Sequence, residues 1–590
     1  MLELTEEQKK FLSTNGDVVL HACPGSGKTA VVAQKFMQYL DHWDRAHQGV
    51  AVLSFTNVAS EEIKRQTYEF SSKAFMVDYP HYVGTLDSFI NNFILLRFGY
   101  LFLSPYKRPI IVFNDSFNLP FRYWRGECHR NGCVNKIGEF RWNTNGQLLR
   151  KSKLVECSGP AQYGPPCFQY KRMLMDKGLI YQSDAPTLAY ILLSENPEIA
   201  KALAARFPII ILDEAQDTSN EQMAILDLVN QAGTESMFLV GDPDQSIYEW
   251  RNATPDCFIN KMNSTNWHTI KLTTNFRSSQ LICNATKLFS FSLENGNPNV
   301  ASGTYKNYVQ KPVLLLYKGN IDDCKNSVIN KFMDICNINN ISISSSNIAI
   351  VTRGNVHSDT DIDGLWKSNE ISFLAQASYE WSSGSRKKAY ELCEKALFGL
   401  VIKEYSDIKN SIEIDVEEKM SYLNWHSIVI DLLVSLPTAD LSIGEWTATM
   451  KITIESIYNK YTLNLINNKT FENIIKIKSK DKKVPHFKEI PLRYFFETKD
   501  KSSTYNISSV HGVKGETYDA LMLIIKSEKG KTLTPKFLNE GPLDSELMRI
   551  AYVAMTRPRK LLVVAMPARA TTECQNQRFP ITNWEYISLN

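Results

Sequence analysis

The chain of 590 residues carries 66 lysines and arginines against 63 acids, a net charge of +3, and 43% of its residues are hydrophobic. Its length allows about three to four domains, and its near-neutral charge excludes nucleic-acid binding through bulk charge alone. The polar N-terminus and the lack of a long apolar run exclude a signal peptide and a membrane span, so we expect a cytoplasmic protein without a membrane partner. The 11 cysteines, an odd number, indicate reduced thiols.

The first strong signal is an apolar run that leads into a glycine-rich loop and a Lys-Thr pair, residues 18–29. This pattern predicts a strand, a phosphate-binding loop and the start of a helix, and we favour it over an ordinary strand-to-helix turn. Gly25 and Gly27 allow backbone N–H groups to turn inward around a polyphosphate. Lys28 would reach the β and γ phosphates, and the Thr29 hydroxyl would bind Mg²⁺. The sequence therefore predicts a nucleoside triphosphatase.

Strand-like and helix-like stretches alternate over the first ninety residues, which predicts a parallel α/β sheet. A short apolar strand ends just before Thr56 and Asn57, and another segment of this kind contains Thr85. Ligands bind at the carboxyl ends of the strands in such sheets, so we expect these three polar side chains near a ligand.

The alternation is lost between residues 96 and 206, which predicts an inserted module. Cysteines gather there, which suggests zinc, but their spacing is irregular and includes no Cys-x-x-Cys pair, which favours reduced thiols. The candidate zinc ligands are Cys128, Cys133, Cys157 and Cys167.

Two carboxylates, Asp213 and Glu214, follow a short apolar strand at residues 208–212. Adjacent buried acids are costly unless a cation or a proton transfer involves them. Asp213 would bind Mg²⁺, and Glu214 would orient and deprotonate the attacking water. The alternative is that an acidic residue is present here because it stabilises the N-terminus of the next helix. That alternative explains only one of the two acids.

Another apolar strand, residues 237–240, leads to Gln245, Tyr248 and Trp250. The Gln245 amide would contact both the γ-phosphate and the water. Tyr248 and Trp250 would provide a surface for unstacked bases, although packing in a core explains either aromatic residue alone.

Further motifs complete the pattern: LTEEQ at 4–8, TNFRS at 274–278, SVHGVKGE at 509–516 and AYVAMTR at 551–557. With these motifs the sequence resembles superfamily 1 helicases of the UvrD, Rep and PcrA group. The resemblance implies an α/β fold of two RecA-like parallel-sheet P-loop motor domains, each with an inserted, mainly helical subdomain. The expected boundaries are 1–95 and 207–280 for the first motor domain, 96–206 for its insertion, 281–400 and 505–590 for the second motor domain, and 401–504 for its insertion.

The resemblance also implies roles for individual residues. The implied catalytic residues are Lys28, Asp213, Glu214, Gln245, Arg277 and Arg557, the last as an arginine finger. The implied nucleotide contacts are Gln8, Pro24, Gly25, Ser26, Gly27, Lys28, Thr29, Ala30, Phe276 and Gly515. The implied DNA contacts are Phe55, Thr56, Asn57, Thr85, Tyr248, Trp250 and His511.

Two functions follow as expectations. The first is an ATP-dependent DNA helicase or translocase that requires Mg²⁺, is stimulated by single-stranded DNA, has 3′ to 5′ polarity and acts on single strands and their junctions with duplex. The second is a DNA-sensing ATPase subunit of a larger nuclease or anti-phage complex of the Gabija kind, with little unwinding of its own. About thirty residues follow Arg557, too few for a nuclease domain, which favours a separate nuclease partner for the second function.

Overall fold

The structure, a computed structural model, describes two compact units. Its described residues are 4–70, 79–101, 103, 109–112, 140–150, 153–154, 166–249, 253–293, 298–319, 321–352, 365–402, 416, 419–465, 470–477, 487–497, 505–525, 533–568 and 578–589. The first unit comprises Met1–Ile111, Gly138–Val356 and Thr504–Asn590, and the second comprises Val112–Ile137 and His357–Ser503. Along the described residues, no helix combines the length and the apolar character needed to cross a membrane.

The first unit contains a sheet of six parallel strands, the first sheet. Its strands are β1 (Asp17–Ala22), β2 (Val50–Ser54), β3 (Tyr82–Thr85), β4 (Ile209–Leu212), β5 (Ser236–Gly241) and β6 (His268–Leu272), in the order β6-β1-β5-β4-β2-β3. β4 is apolar throughout and fully buried, as expected of a strand that is covered on both faces. Because all six strands are parallel, their carboxyl ends meet at one edge.

Amphipathic helices cover both faces of this sheet. Val32, Phe36 and Leu40 recur every fourth residue on the helix Lys28–Asp41, and all three are buried against the sheet. The other α-helices of this part are Glu6–Ser13, Asn57–Phe70, Leu86–Ile90, Leu96–Phe98, Pro166–Asp176, Ala185–Glu195, Pro197–Arg206, Asn220–Gln231 and Pro255–Met262.

The boundary expected at residue 206 differs from the packing of the chain. The helices Ala185–Glu195 and Pro197–Arg206 contribute buried residues, among them Leu192 and Leu203, to the same core as Leu239 of β5. These helices therefore share a hydrophobic core with the first sheet. The short antiparallel strands Phe140–Trp142, Leu148–Arg150 and Lys153–Leu154 precede them.

A second sheet of six parallel strands lies in the same unit. Its strands are β7 (Val313–Tyr317), β8 (Ile348–Thr352), β9 (Asn506–Ser509), β10 (Tyr518–Ile524), β11 (Pro558–Pro567) and β12 (Glu585–Ser588), in the order β9-β8-β10-β11-β7-β12. Its α-helices are Gln280–Thr286, Ile321–Ile338, Pro535–Glu540 and Glu546–Met555. The last of these, here named the arginine helix, ends directly before Arg557 and β11.

The second unit is helical and begins earlier than the expected boundary at residue 401. Its α-helices are Asn369–Ser382, Arg386–Val401, Tyr422–Val434, Ile443–Tyr461, Phe471–Ile474 and Tyr494–Glu497, and they share one core. Trp366 and Trp446 are fully buried there, with ring centroids 5.4 Å apart, and each indole N–H donates to a buried hydroxyl, Thr447 and Ser378 respectively.

A buried ion pair joins the segments that precede β4. Lys171 Nζ lies 2.5 Å from Asp184 Oδ2, and both side chains are almost fully buried. The other oxygen of Asp184 accepts a hydrogen bond from the backbone N–H of Trp142 at 3.0 Å. Removing one partner of such a pair leaves the other charge buried without compensation.

We therefore predict that Lys171→Ala destabilises the protein by about 3–5 kcal/mol, the usual cost of breaking a buried pair. Thermal unfolding followed by circular dichroism measures the effect. Lys201→Ala is the matched control, because Lys201 pairs with Glu198 at the surface and such pairs contribute about 0–1 kcal/mol. Equal melting temperatures for the two variants would contradict the prediction.

Candidate active site

The glycine-rich loop after β1 has the backbone that the sequence predicts. Gly25 and Gly27 have φ angles of +74° and +78°, in the left-handed region that favours glycine. A Cβ atom on Gly25 would lie 2.6 Å from Asn275 Oδ1, and the Gly25 carbonyl accepts a hydrogen bond from the Phe276 N–H at 2.9 Å. The loop is thus packed against residues 275–277, and its last glycine opens the helix Lys28–Asp41.

Two polar groups of this loop are buried without a hydrogen-bond partner among the described residues. They are Lys28 Nζ and Ser26 Oγ. The nearest acid to Lys28 is Glu214, whose Oε2 lies 3.7 Å from Nζ. Buried polar groups are normally paired, so the two atoms fit a ligand with anionic oxygens at the N-terminus of a helix, as a nucleotide phosphate would supply.

The two predicted acids follow β4 at the same edge of the sheet. Thr29 Oγ1 donates to Asp213 Oδ2 at 3.5 Å, which brings together the two expected Mg²⁺ ligands. Burial, and then the neighbouring Glu214, raise the pKa of Asp213. A cation on the Asp213 carboxylate would reverse that shift, so the donor set fits a hard divalent ion.

Glu214 lies in a strained backbone conformation next to several cations. Its φ is +55°, which is unusual for a residue with a side chain and is found most often at functional sites. Burial acts to raise the pKa of Glu214, but Lys28, Lys514 and a hydrogen bond from Gln216 together lower it. The neighbouring cations therefore favour the ionised form of Glu214.

Gln216 is a site residue that the sequence analysis did not single out. Its Oε1 accepts the backbone N–H of Asp242 at 3.1 Å, which fixes the orientation of the amide because a backbone N–H only donates. Its Nε2 therefore faces Glu214 Oε2, at 2.5 Å. A Cβ atom on Gly241 would lie 2.5 Å from Gln216 Oε1, so glycine is needed at the end of β5. The sequence feature that could have identified Gln216 is its position between the acids Glu214 and Asp217.

A guanidinium group from the second sheet enters the site. Arg557 is 2% exposed, and its Nη2 donates to Gln245 Oε1 at 2.7 Å. Gln245 Nε2 in turn donates to Asp242 Oδ2 at 2.5 Å, at the end of β5. Arg557 and Gln245, which lie 312 residues apart in sequence, are thus brought into direct contact.

Arg277 lies next to Arg557, in the connection between the two sheets. It follows β6, and its Nη1 donates to the carbonyl of Thr556 at 3.1 Å. Burial, and then repulsion by Arg557 and Arg559, lower the pKa of Arg277. Arg557 is buried and Arg277 is half-buried, so an anion near both guanidinium groups, such as a terminal phosphate, would offset their repulsion.

The remaining predicted nucleotide contacts are not all at the loop. Gln8 Nε2 donates to the carbonyl of Ser26 at 3.1 Å. Ala30 is in the first turn of the helix after the loop, and the Phe276 ring is partly exposed next to Gly25. Gly515 is exposed, with open space around its Cα, and no contact places it at the loop.

Several aromatic side chains lie close together near Gln245 and its neighbours in the site. The ring of Tyr248 lies 4.9 Å from that of Phe55 and 5.7 Å from that of His511, measured between centroids. Lys514 Nζ lies 4.6 Å from the centre of the Tyr248 ring. The side chains of Phe55, Tyr248, His511 and Lys514 are all partly exposed. We refer to these four residues as the aromatic surface. Trp250 lies outside the described residues.

The predicted polar DNA contacts have structural roles. The Thr85 hydroxyl accepts from the Ser88 N–H at 3.1 Å, and the Thr56 hydroxyl accepts from the Ala59 N–H at 3.2 Å, so each caps the helix that follows it. Thr85 is also buried, whereas Asn57 is exposed. Among the polar residues at these two strand ends, only Asn57 projects freely toward solvent.

Lys514 joins the acids to the aromatic surface, and the sequence analysis did not assign it a role. Its ammonium pairs with the buried carboxylate of Asp217 and donates to the carbonyl of Gln245 at 3.0 Å. Lys514 is within the motif at 509–516, so its position was visible in the sequence but its partners were not.

The zinc hypothesis stays a prediction. Cys167 is buried in the helix Pro166–Asp176, whereas Cys128, Cys133 and Cys157 lie outside the described residues. Within the described ranges, no group of three His, Cys, Asp or Glu side chains forms a metal site.

Comparison with known proteins agrees with this geometry. Residues 4–103 and 163–266 match the UvrD/REP helicase N-terminal domain family. The chain is 24% identical to the ATP-dependent DNA helicase Rep of Buchnera aphidicola from Acyrthosiphon pisum, over 95% of this chain and 94% of that protein. It is 24% identical to the RecBCD enzyme subunit RecB of Chlamydia pneumoniae, over 62% of this chain and 37% of that protein. It is 25% identical to the Gabija protein GajB of Bacillus cereus, over 48% of each chain.

Two parallel six-stranded sheets, a phosphate loop on one and an arginine delivered from the other define a P-loop protein with two RecA-like domains, which confirms the predicted fold class. The motifs and the matches together confirm the resemblance to UvrD-like superfamily 1 helicases.

Lys28→Ala tests the phosphate site. We expect nucleoside triphosphate turnover, measured as phosphate release, to fall by about a hundredfold or more, because the loop loses its charge on the phosphates. The melting temperature should stay near that of the native protein, since Lys28 Nζ makes no hydrogen bond to any described residue. Lys9→Ala, at an exposed position, is the control. Robust turnover by the Lys28 variant would refute the assignment.

Proposed function

We propose that this chain is an ATP-driven DNA helicase or translocase whose hydrolysis is stimulated by single-stranded DNA. The observation that carries the proposal is the position of residues 245–249. Gln245 contacts Arg557 in the phosphate site, and three residues later Tyr248 packs on Phe55 in the aromatic surface. One short segment thus reaches both the nucleotide and the place where bases would stack.

The side chains of the cleft have the chemistry for hydrolysis. Lys28 and the loop N–H groups would hold the β and γ phosphates while water attacks the γ-phosphorus and the bond to the β-phosphate oxygen breaks. Glu214 would take the proton of that water. Arg277 and Arg557 would stabilise the charge on the transferred group. Mg²⁺, held by Thr29 and Asp213, would offset the negative charge of the phosphates.

Hydrolysis in such a site is linked to domain motion. Lys28 and Glu214 belong to the first sheet, and Arg557 belongs to the second, so ATP favours the closed arrangement in which all three meet. Loss of the γ-phosphate removes the anion that holds the guanidinium group. Alternate grip of one strand by the two domains would then advance the protein along it, and the resemblance to the UvrD, Rep and PcrA group supports 3′ to 5′ polarity.

Phe55→Ala tests the aromatic surface. We expect the dissociation constant for single-stranded DNA to rise about tenfold, as for loss of one stacked base, and the ratio of DNA-stimulated to basal hydrolysis to fall with it. Fluorescence anisotropy with a labelled oligonucleotide measures binding, and phosphate release measures the ratio. Tyr100→Ala removes an exposed aromatic ring elsewhere and is the control. Unchanged binding by the Phe55 variant would exclude its stacking role.

The second candidate is a DNA-sensing ATPase subunit of a larger nuclease or anti-phage complex, with little unwinding of its own. The similarity to RecB, whose name identifies it as an enzyme subunit, and to the Gabija protein GajB favours it. Each match covers less than half of that protein's own length.

A strand-displacement assay separates the two candidates. The protein alone is incubated with ATP and duplexes that carry either a 3′ or a 5′ single-stranded tail. The helicase proposal expects displacement only with the 3′ tail, because a 3′ to 5′ motor loads there. Hydrolysis stimulated by DNA without displacement on either substrate would favour the sensing subunit, and displacement only with the 5′ tail would refute the polarity.

A further inference from the structure

Residues 245–249, here named the coupling segment, leave the first sheet but are held by the second domain. The side chain of Ile247 is fully buried in the core that includes Tyr552 and Val564, on the second sheet. The Ile247 carbonyl lies 3.0 Å from His511 Nε2. The segment is therefore fixed to the second domain between Gln245, in the phosphate site, and Tyr248, in the aromatic surface.

Arg549 is one of the second-domain residues that contact this segment. It is on the arginine helix and is 2% exposed. Its Nε donates to the carbonyl of Ser246 at 2.6 Å, its Nη1 donates to the carbonyl of Asp544, and its Nη2 pairs with the carboxylate of Glu249.

The arrangement requires a guanidinium group. Its three nitrogens donate in three fixed directions, whereas a lysine ammonium at the end of a flexible chain does not reproduce that planar fork. Glu249 is 46% exposed, so its ion pair with Arg549 is screened by solvent and contributes little. Of the contacts that Arg549 makes with the segment, the buried hydrogen bond to the Ser246 carbonyl therefore contributes most.

Residues at both ends of the arginine helix hold the coupling segment. Glu546 Oε1 accepts the backbone N–H of Glu249 at 3.1 Å, next to Arg549. Arg557, just after the other end of the helix, donates to Gln245 Oε1 at 2.7 Å. One rigid element therefore sets the distance between the phosphate contact and the aromatic contact.

We propose that Arg549 is a positioning residue that transmits the occupancy of the aromatic surface by DNA to Gln245 and Arg557 in the phosphate site. The inference rests on the proposed function, since it assigns a role in DNA stimulation of hydrolysis. Arg549 touches neither nucleotide nor DNA, and it acts by keeping the coupling segment in one conformation. Without Arg549 the coupling segment is flexible, so the stacking of bases on Tyr248 no longer shifts Gln245.

The test compares Arg549→Met with the native protein, Arg549→Lys and Arg578→Met. Arg578 donates to two backbone carbonyls, of Leu538 and Gly541, and its guanidinium group lies 3.9 Å from Met548 Sδ on the arginine helix, so it is a control for loss of an arginine that contacts this helix but none of whose hydrogen bonds goes to the coupling segment. The measurements are the melting temperature, KM for ATP, the basal and DNA-stimulated kcat, and amide hydrogen exchange of peptides covering residues 243–249.

For Arg549→Met we expect DNA-stimulated kcat to fall about tenfold, the factor that follows from loss of a hydrogen bond made by a charged group. KM for ATP and the basal kcat should change less than about twofold, and exchange within 243–249 should rise while that of β5 stays unchanged. Arg549→Lys should restore little of the stimulation, and Arg578→Met should retain it.

Three outcomes overturn the inference. These are full DNA stimulation in Arg549→Met, an equal fall of the basal rate, or unchanged exchange of the coupling segment. Hydrogen exchange needs neither nucleotide nor DNA, so it tests the positioning role separately. A native protein that hydrolyses ATP without any response to DNA refutes the proposed function instead, whatever the variants do.

Discussion

Buried charge is the constraint on which the cleft depends. Lys28 lies beside Glu214 and Arg557 is buried nearby, and a charge with little access to water is costly unless an opposite charge lies close to it. The acids belong to the first domain and Arg557 belongs to the second. A polyphosphate with its metal ion would add charges between them, so a ligand bound there would favour one arrangement of the two domains.

Parallel topology explains how distant residues reach this cleft. Strand ends at 22, 212 and 241 lie at one edge of the first sheet, and each is followed by a functional group rather than by a simple turn. Asp242 lies at the same edge, and its backbone N–H fixes the orientation of the Gln216 amide. Catalytic geometry in this protein is therefore a property of strand order, and the side chains only complete it.

Much of this organisation could be predicted from the sequence, because buried parallel strands have continuous apolar runs that stop at glycine or acid. The runs before Gly25, Asp213 and Gln245 are of this kind. The four-residue spacing of Val32, Phe36 and Leu40 likewise identified the buried face of a helix.

The rest depends on contacts between residues far apart in sequence. Lys514 and Asp217 are separated by 297 residues, and no local pattern reports their pairing. The interval 96–206 was expected to be an insertion because the alternation of strands and helices is lost there, and an amphipathic helix shows that a face is buried but not which core covers it. The Thr85 hydroxyl caps a helix, which the backbone geometry reveals, and its contact with DNA stays a prediction.

The strand order of the first sheet also has a consequence for biosynthesis. β1 has β5 and β6 as its two neighbours, and both are encoded long after it. The strand that carries the phosphate loop therefore leaves the ribosome without a partner and stays unpaired until Ser236 and the residues after it have been translated. An apolar strand with open edges is prone to misassociation, so the strand order leaves β1 open to wrong pairing until β5 has been synthesised.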